Sequence, residues 1–368
     1  MITRFSAKNY GCLKDLTCAL TPLHAFIGPN DSGKSTLLRA IVSVVNAASG
    51  RTLQGARAQQ AEWPTSDEDS MLSIHVPVAT PIGEWKEAIY RALLKRVPLL
   101  SASTVMEALT IDGSSVGLVA VPSAISFAEF QSRNFTYLRT EPFQGARLIA
   151  FDPDRLSQPS ANLPDGQVEN FFRDRGAGLA GACQRILNRG DESWADLRSK
   201  FVKLFPTTRR VGLHPINDSS QEIEIELMDG TEVRAAAMSA GMLYWLGYSV
   251  ISYLGRASVL AVEEPENGLH PSRIAEVVRI LRALVASGIQ VIVATHSPLV
   301  INELQPEEVS VVTRTAEAGT RVTPIKDTPR FESRAKVYAL GELWLSYANG
   351  VDESPLLEGG SRPDVMVP

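Results

Sequence analysis

The residues with the clearest chemical signature are 28–35 (GPNDSGKS), which fit the pattern G-x-x-x-x-G-K-[ST] at every fixed position. An apolar run precedes them, and a helical pattern with apolar residues on one face follows. Glycines in such a turn let successive backbone N–H groups converge on phosphate oxygens, while Lys34 supplies a cation and Ser35 a hydroxyl for Mg²⁺. The segment therefore predicts a nucleotide-binding loop between a strand and a helix, and a glycine-rich turn without a ligand is the alternative.

Two adjacent acids, Glu263 and Glu264, follow the apolar run at residues 259–262. Carboxylates at the end of a buried strand are costly unless a metal or polar partners receive them. In a P-loop enzyme the first acid holds Mg²⁺ through water, and the second can align and deprotonate the attacking water. The alternative is an exposed acidic loop, which fits poorly beside so apolar a strand.

A histidine and a short Ser-x-Gly step complete the set of candidate residues. His296 follows the apolar strand pattern at residues 289–294, and an imidazole at that place can hydrogen-bond a terminal phosphate. Ser239 and Gly241 open a helical pattern, where a hydroxyl and free N–H groups can meet a phosphate. A structural histidine and an ordinary helix cap are the respective alternatives.

The elements that must position these residues are predicted from hydrophobic periodicity. Strands are expected at residues 2–10, 16–20, 23–27, 71–78, 222–227, 259–262 and 289–294, with a hairpin at 109–121 that turns at Asp112 and Gly113. Helices are expected after residue 34, at 84–97, 178–187 and 194–205, and from Ile274 to Val285, with loops at 48–70 and 155–170. Residues 222–227 alternate strictly, so their strand should carry one acidic face.

The composition indicates an ordinary globular protein and argues against several other classes. The 368 residues suit about two domains, and 44% hydrophobic with 21% charged residues is ordinary globular usage. The net charge of −5 does not indicate a globally basic nucleic-acid binder. Three cysteines without CxxC spacing argue against a disulfide framework and a zinc site. The N-terminus lacks the apolar region of a signal peptide, so the cytoplasm is the expected compartment.

Two stretches carry a further interpretation. Residues 235–255 lack charge and are long enough to span a bilayer, but their serines, glycines and tyrosines favour a buried core helix, so no membrane contact is expected. Residues 133–210 hold thirteen Lys and Arg against nine Asp and Glu. A solvated helical face is the favoured interpretation of that surplus, and a nucleic-acid contact surface is the alternative.

Together, the four motifs in this order resemble the ABC-type ATPase heads of the RecF/SMC/OLD group. The resemblance is closest to bacterial ATPases with an AAA-type ATP-binding domain and an EEPENGLHP-like motif, here Glu263 to Pro271. It covers residues 1–45 and 236–312. Two departures are the glutamate at position 263, where the group usually has aspartate, and a degenerate signature with Ala240 and Met242; no Q-loop residue is placed.

The resemblance implies a role for each matching residue. Residues 28–36 become the Walker A loop, Glu263 and Glu264 the Walker B end, 267–270 the D-loop, His296 the switch histidine and 239–241 the signature. The catalytic residues implied are Lys34, Glu264 and His296, and the Mg²⁺ ligands are Ser35 and Glu263. The implied ATP contacts are Gly28, Pro29, Asn30, Asp31, Ser32, Gly33, Lys34, Ser35, Thr36, Ser239 and Gly241.

The implied fold is α/β, a P-loop NTPase of ABC-ATPase-head type with a mixed β-sheet, helices and an inserted helical lid. Residues 1–47 and 236–330 would form the ATPase core and 48–150 a lobe of strands and a helix. Residues 151–235 would form the inserted lid and strand, and 331–368 a C-terminal helix and loose tail.

The implied activity is ATP hydrolysis with Mg²⁺ by a homodimer, or a higher oligomer, engaged head to head around two nucleotides. Such engagement would control a partner, for instance a nuclease encoded nearby, in phage defence or DNA maintenance. The alternative is a nucleotide-gated scaffold with negligible turnover that contacts DNA through residues 133–210. A transporter motor is disfavoured by the long separation of Lys34 from Glu263 and by the degenerate signature.

Overall fold

The computed structural model describes residues 1–49, 70–79, 85–96, 103–111, 114–121, 145–161, 168–255, 257–329 and 331–348. The chain divides into two compact units. The first comprises Met1–Arg147, Ala257–Glu263 and Val285–Pro368, and the second comprises Leu148–Arg256 and Glu264–Leu284. The chain thus passes from one unit to the other at four positions, one of which falls between the two candidate acids.

The strands, in chain order, are β1 (Arg4–Tyr10), β2 (Leu13–Ala19), β3 (Leu23–Ile27), β4 (Ser70–Ala79), β5 (Trp85–Arg96), β6 (Ser103–Ile111), β7 (Ser114–Val121), β8 (Ala146–Ile149), β9 (Thr208–Asn217), β10 (Ser220–Leu227), β11 (Glu232–Arg234), β12 (Val259–Glu263), β13 (Gln290–Thr295), β14 (Val309–Thr315) and β15 (Gly319–Pro324). The helices are α1 (Lys34–Ala48), α2 (Pro153–Leu156), α3 (Val168–Arg173), α4 (Leu179–Leu187), α5 (Ser193–Leu204), α6 (Ala240–Val250), α7 (Pro271–Ala286), α8 (Pro298–Asn302), α9 (Phe331–Arg334) and α10 (Leu340–Ala348).

The candidate residues depend on a six-stranded sheet with the order β15-β14-β3-β13-β12-β8. Strands β14, β3, β13 and β12 run parallel to one another, and α1 packs against β12 and β13. Strands β3 and β13 are buried along their whole length, which is typical of parallel strands covered on both faces. Because Thr295 lies opposite Ile27 and Glu263 opposite Ala294, the carboxyl ends of β3, β13 and β12 meet at one edge.

A second sheet of the first unit is antiparallel and has the order β2-β1-β4-β5-β6-β7. The strands predicted at residues 2–10, 16–20 and 71–78 are confirmed as β1, β2 and β4. The hairpin predicted at 109–121 is confirmed as well, since β6 ends at Ile111 and β7 begins at Ser114. Its turn, like most of the loop expected at 48–70, lies outside the described residues.

The helix predicted at residues 84–97 is wrong, because this segment is strand β5, paired with β4 and β6. Ala88, Tyr90 and Ala92 are buried, while Glu87, Ile89 and Arg91 are more exposed. That alternation has the period of a strand with one buried face. The sequence WKEAIYRALLKR fits both periods, and strand partners on both sides select the extended form.

The second unit contains a three-stranded antiparallel sheet, β11-β10-β9, and the helices α2 to α6. Helices predicted at 178–187 and 194–205 are confirmed as α4 and α5. The loop expected at 155–170 is wrong in part, because α2 extends to Leu156 and α3 begins at Val168. Asp152 caps α2 through a bond from the Asp154 N–H, 3.0 Å, a local signal that the loop prediction overlooked.

The acidic face predicted on β10 is present but neutralised. Its glutamates, Glu222, Glu224 and Glu226, pair with Arg234, Arg210 and Arg209 of the neighbouring strands. The uncharged stretch at 235–255 forms the mostly buried helix α6, flanked by short 3-10 turns. Across the described parts of the chain, no helix combines the length and the apolar character that crossing a membrane requires.

Candidate functional site

The loop between β3 and α1 has the backbone shape expected of a phosphate cradle. Asp31 and Gly33 adopt left-handed conformations, with φ of 64° and 102°, and α1 begins at Lys34. The Lys34 ammonium donates to the carbonyl oxygens of Gly28 and Pro29, at 2.8 Å each. Its positive charge is therefore held within the loop, beside the N-terminus of α1, where an anion is stabilised.

Two glycines of the loop are required by close packing. A Cβ on Gly28 would collide with the Val312 carbonyl oxygen, and a Cβ on Gly33 would collide with the Thr320 hydroxyl. The same Cβ on Gly33 would lie 2.8 Å from the Cys12 sulfur. Strands β14 and β15 thus pack closely against one side of the loop. No sequence motif indicated this contact.

Ser32 contributes a buried hydroxyl to this loop. Its side chain is buried, and its hydroxyl has no hydrogen-bond partner among the described residues. An unsatisfied buried hydroxyl is expensive to maintain. A phosphate oxygen that accepts from it would remove that cost, so the loop fits a phosphorylated ligand.

Glu263 gives a similar signal at the end of β12. Its Oε1 is buried and lacks a hydrogen-bond partner within the described ranges. Among those residues, no group of three or more His, Cys, Asp or Glu could hold a metal by itself. Mg²⁺ often takes only one or two protein oxygens and completes its shell with phosphates and water. Glu263 together with the exposed Ser35 hydroxyl therefore fits Mg²⁺ bound with a nucleotide.

Glu264 begins the second unit in a left-handed conformation, with φ of 43°. Its Oε2 accepts a hydrogen bond from the Asn267 amide, 2.6 Å, and the Asn267 N–H donates to the Glu264 carbonyl, 3.0 Å. A glutamate with positive φ is uncommon and strained. The turn through Asn267 holds the carboxylate in place in spite of that strain.

His296 follows β13, directly after Thr295, which lies opposite Ile27 of β3. Its side chain is exposed, and its carbonyl oxygen accepts a bond from the Trp344 indole N–H, 3.3 Å. Trp344 belongs to α10, which packs on α8, and the Gly341 N–H of α10 donates to the Asn302 side chain of α8, 2.7 Å. The C-terminal helix thus fixes the backbone at the histidine, a contact that sequence reasoning missed.

Burial also shapes the electrostatics of the strand that leads to the loop. His24 of β3 lies between the hydroxyls of Thr21 and Ser310, 3.1 Å from each. Burial lowers the pKa of its imidazole to about 4. The ring therefore remains neutral near neutral pH, and it links β3 to β14.

Ser239 and Gly241 lie in the second unit, at the N-terminus of α6. Ser239 is exposed and caps the helix, accepting from the Met242 N–H at 3.4 Å. A Cβ on Gly241 would lie 3.8 Å from Leu269 and 3.9 Å from the Gly268 carbonyl, so the loop after Glu264 runs beside this helix start. The helix cap that was the alternative interpretation is present, and the role of these residues toward a nucleotide stays a prediction.

The structure thus brings the expected residues together in two groups. Gly28, Lys34, Glu263 and His296 belong to the edge where β3, β12 and β13 end, within the first unit. Glu264, Ser239 and Gly241 belong to the second unit, where the loop from 264 to 270 adjoins α6. The Thr320, Arg314 and Trp344 contacts were not predicted, because each joins residues far apart in the chain.

Two family profiles match this chain, one over the segment with Ser239, Glu263 and His296 and the other over the segment with the loop at residues 28–35. A profile described as "AAA domain, putative AbiEii toxin, Type IV TA system" matches residues 119–302, half of the chain. A second, described as "AAA ATPase domain", matches residues 1–75. A stretch of 41 residues is 51% identical to the OLD nuclease of Thermus scotoductus (strain ATCC 700910 / SA-01). That match covers 11% of this chain and 8% of the nuclease, so the chain aligns with only a small part of that relative.

Solved structures support the fold. The SMC head bound to the C-winged helix domain of ScpA aligns with a TM-score of 0.54 and 16% identity, over 88% of this chain and 96% of that one. The Smc head with an extended coiled coil, bound to the C-terminal domain of ScpA derived from Pyrococcus furiosus, aligns with a TM-score of 0.51 and 14% identity, over 91% and 99%. At such identity the likeness concerns the fold, and it confirms the predicted P-loop architecture of ABC-ATPase-head type.

Proposed function

We propose that this chain, which belongs to the AAA-domain family whose profile spans half of it and has the fold of ABC-type ATPase heads, binds ATP with Mg²⁺ and hydrolyses it. The site is the edge where β3, β12 and β13 end. The observation that carries the proposal is the buried Glu263 Oε1 without a partner, beside a loop whose Ser32 hydroxyl also lacks one. Both atoms suit a ligand that combines a cation with phosphates.

Each residue of the site has a distinct task in this proposal. Lys34 exchanges its loop carbonyls for phosphate oxygens, and Ser35 with Glu263 would hold Mg²⁺, which neutralises phosphate charge when bound. Glu264 aligns the attacking water and accepts its proton. His296 hydrogen-bonds the terminal phosphate from the end of β13.

Lys34→Ala tests the binding step directly. The variant should lose ATP affinity and keep its melting temperature, because the Lys34 ammonium contacts loop carbonyls rather than the apolar core. Titration with a fluorescent ATP analogue and thermal melting measure the two effects. Lys200→Ala, which removes an exposed lysine paired with Asp196 in the second unit, is the matched control. Wild-type affinity in a folded Lys34→Ala variant would refute the site.

Two copies of the chain complete the site in this proposal. Ser239 and Gly241 of one protomer cover the nucleotide that Lys34 of its partner holds, since the N-terminus of α6 offers an exposed hydroxyl and a helix dipole to an anion. Two such sites related by a two-fold axis make the interface isologous. Dimerisation would then depend on ATP.

ATP-dependent engagement would control a partner protein. The family description names a toxin of a type IV system, and the solved SMC heads are bound to a domain of ScpA, which supports a head that acts through another protein. For this chain we infer an effector such as a nuclease encoded nearby, in phage defence or DNA maintenance. In the same proposal, residues 1–47 and 236–330 are the ATPase core, 48–150 is a lobe that completes its N-terminal half, 151–235 is an inserted helical lid with a strand, and 331–368 is the C-terminal segment.

A DNA-binding scaffold with negligible turnover is the competing function. It relies on the basic surplus of residues 133–210, part of which lies outside the described residues. In the described part, basic residues that pair with carboxylates include Arg175, Arg189, Lys200, Arg209 and Arg210. Such pairs reduce the charge available to DNA phosphates, and the observation favours the ATPase.

A further inference from the structure

The hairpin of β14 and β15, residues 309–324, lies against the Walker A loop, although no motif marks it. Its residues Arg314 and Thr320 face each other in register. Directly opposed residues of an antiparallel pair project their side chains to the same face. That face contacts two consecutive residues of the loop, Asp31 and Ser32.

The two contacts differ in character. The Thr320 hydroxyl, which is fully buried, donates to the Ser32 carbonyl oxygen at 2.9 Å. The Arg314 guanidinium lies 3.0 Å from the Asp31 carboxylate, but that carboxylate is 90% exposed. Exposed ion pairs contribute little, whereas an unmet buried carbonyl is costly. Thr320 therefore carries most of the effect of the hairpin on the loop.

The hairpin is itself anchored to the start of β2. The Thr320 N–H donates to the Cys12 carbonyl, 2.9 Å. The Lys14 ammonium donates to the carbonyls of Ala316 and Glu317 in the hairpin turn, at 2.9 and 2.8 Å. The Thr320 hydroxyl is thus presented to the loop from a fixed position.

The hydrogen bond from Thr320 also determines where the next N–H points. The peptide between Ser32 and Gly33 is trans and planar, so its N–H points away from its carbonyl. With the carbonyl held toward the hairpin, the Gly33 N–H is directed to the opposite side of the loop. We propose that Thr320 is a positioning residue for ATP, which sets the direction of the Gly33 N–H for phosphate; this inference rests on the ATP site proposed above.

Thr320→Val tests the inference, because valine keeps the branched shape and removes the donor. The variant should raise the dissociation constant for ATP by roughly tenfold, which corresponds to about 1.4 kcal/mol. The turnover number at saturating ATP should change by less than about twofold, since the reacting groups are untouched. Thr320→Ser, which restores the hydroxyl, should return the affinity to that of the wild type.

Two further variants serve as controls. Thr323→Val makes the same substitution on β15 at a residue that lies opposite Val311, and it should leave the affinity unchanged. Arg314→Gln should weaken binding by less than about threefold, as expected of an exposed pair. The binding stoichiometry separates the roles, because partial unfolding lowers the number of sites without changing the dissociation constant.

Each outcome of these experiments either supports or overturns the role of Thr320. Wild-type affinity in a folded Thr320→Val variant overturns the inference. If that variant melts too early to titrate, Thr320→Cys, which keeps only a weak donor, replaces it: reduced affinity supports the inference and wild-type affinity overturns it. Lys34→Ala separates the two proposals, since retained binding there refutes the ATP site itself. Loss of binding in Lys34→Ala with unchanged Thr320→Val refutes only the role of Thr320.

Discussion

The Walker A loop and the N-terminus of α6 both offer a helix start to an anion, yet the protein holds them differently. In the loop, Lys34 binds two carbonyls, Thr320 binds a third, and Gly33 has no room for a side chain. At α6, Ser239 is exposed with a single long cap bond, and a Cβ on Gly241 would make only ordinary van der Waals contacts, at 3.8 and 3.9 Å. The loop is thus held by contacts within its own chain, whereas the start of α6 is an exposed surface; in the proposed dimer, that surface acts on the nucleotide of the other protomer.

The largest expected effect joins the two regions through Glu264. Glu264→Gln keeps the shape and removes the base, so hydrolysis should fall by roughly 10²–10⁴-fold while ATP still binds. With ATP and Mg²⁺ the variant should run at twice the monomer mass in light scattering. Adding Ser239→Arg should return it to the monomer, because bulk and charge then occupy the exposed helix start. If a stable oligomer forms without ATP and persists in the Ser239→Arg variant, the proposed interface is refuted. Ser239 would then be only a helix cap.

Alanine at the two glycines compares the regions most directly. Gly33→Ala should weaken ATP binding by at least roughly tenfold, because its positive φ alone costs about 1–2 kcal/mol and its Cβ meets Thr320 and Cys12. Gly241→Ala should instead leave both stability and ATP binding to the monomer nearly unchanged, because its Cβ would make only van der Waals contacts. Melting curves and ATP titrations of both variants measure this. Equal losses of affinity in the two variants would contradict the distinction between a built site and an open one.

A smaller effect is expected from the contact between α10 and His296. Trp344→Phe removes the indole donor to the His296 carbonyl and keeps an aromatic ring. Because one hydrogen bond contributes about 0.5–1.5 kcal/mol, turnover should fall by up to about tenfold with KM nearly unchanged. His296→Ala should slow turnover further in the same steady-state assay. A rise in KM with constant turnover would show that this edge assists binding alone.

The smallest expected effect is a loss of stability at low pH that arises from His24 of β3, the strand that leads to the Walker A loop. The unfolded His24 has a pKa near 6.5, and in the folded protein burial lowers it to about 4. The unfolded chain therefore gains a proton first as the pH falls, so stability is lost progressively from about pH 6.5 toward pH 4. Denaturant unfolding should show a loss of roughly 1 kcal/mol between pH 6.5 and 5.5. His24→Gln, which keeps polar atoms between Thr21 and Ser310, should lose that contribution; an unchanged pH slope would exclude His24 as its source.

Local patterns were sufficient where the residue types themselves favour one backbone conformation, even though the strand partners of β3 lie far away in the sequence. The run from Leu23 through Gly28 to Lys34 reads as strand, turn and helix because each residue type suits its own backbone. The helix predicted at residues 84–97 was wrong because the apolar pattern of this segment fits both a helix and a strand. Only its pairing with β4 and β6 distinguishes the two. Thr320 contacts Ser32 across 288 positions, so no local pattern could reveal it.

The conformation of Glu264 has a consequence for how such sequences can change. A residue with φ of 43° would be relieved of strain by glycine, which tolerates that region without a Cβ penalty. Glu264→Gly should therefore give a chain with less backbone strain that hydrolyses ATP roughly 10²–10⁴-fold more slowly, a trade of activity for stability. A library of variants screened only for heat resistance would be expected to accumulate such inactive chains. If the library is instead screened for both heat resistance and ATP hydrolysis, the surviving variants should keep glutamate at position 264. That result would show that turnover is what selects the glutamate at this position.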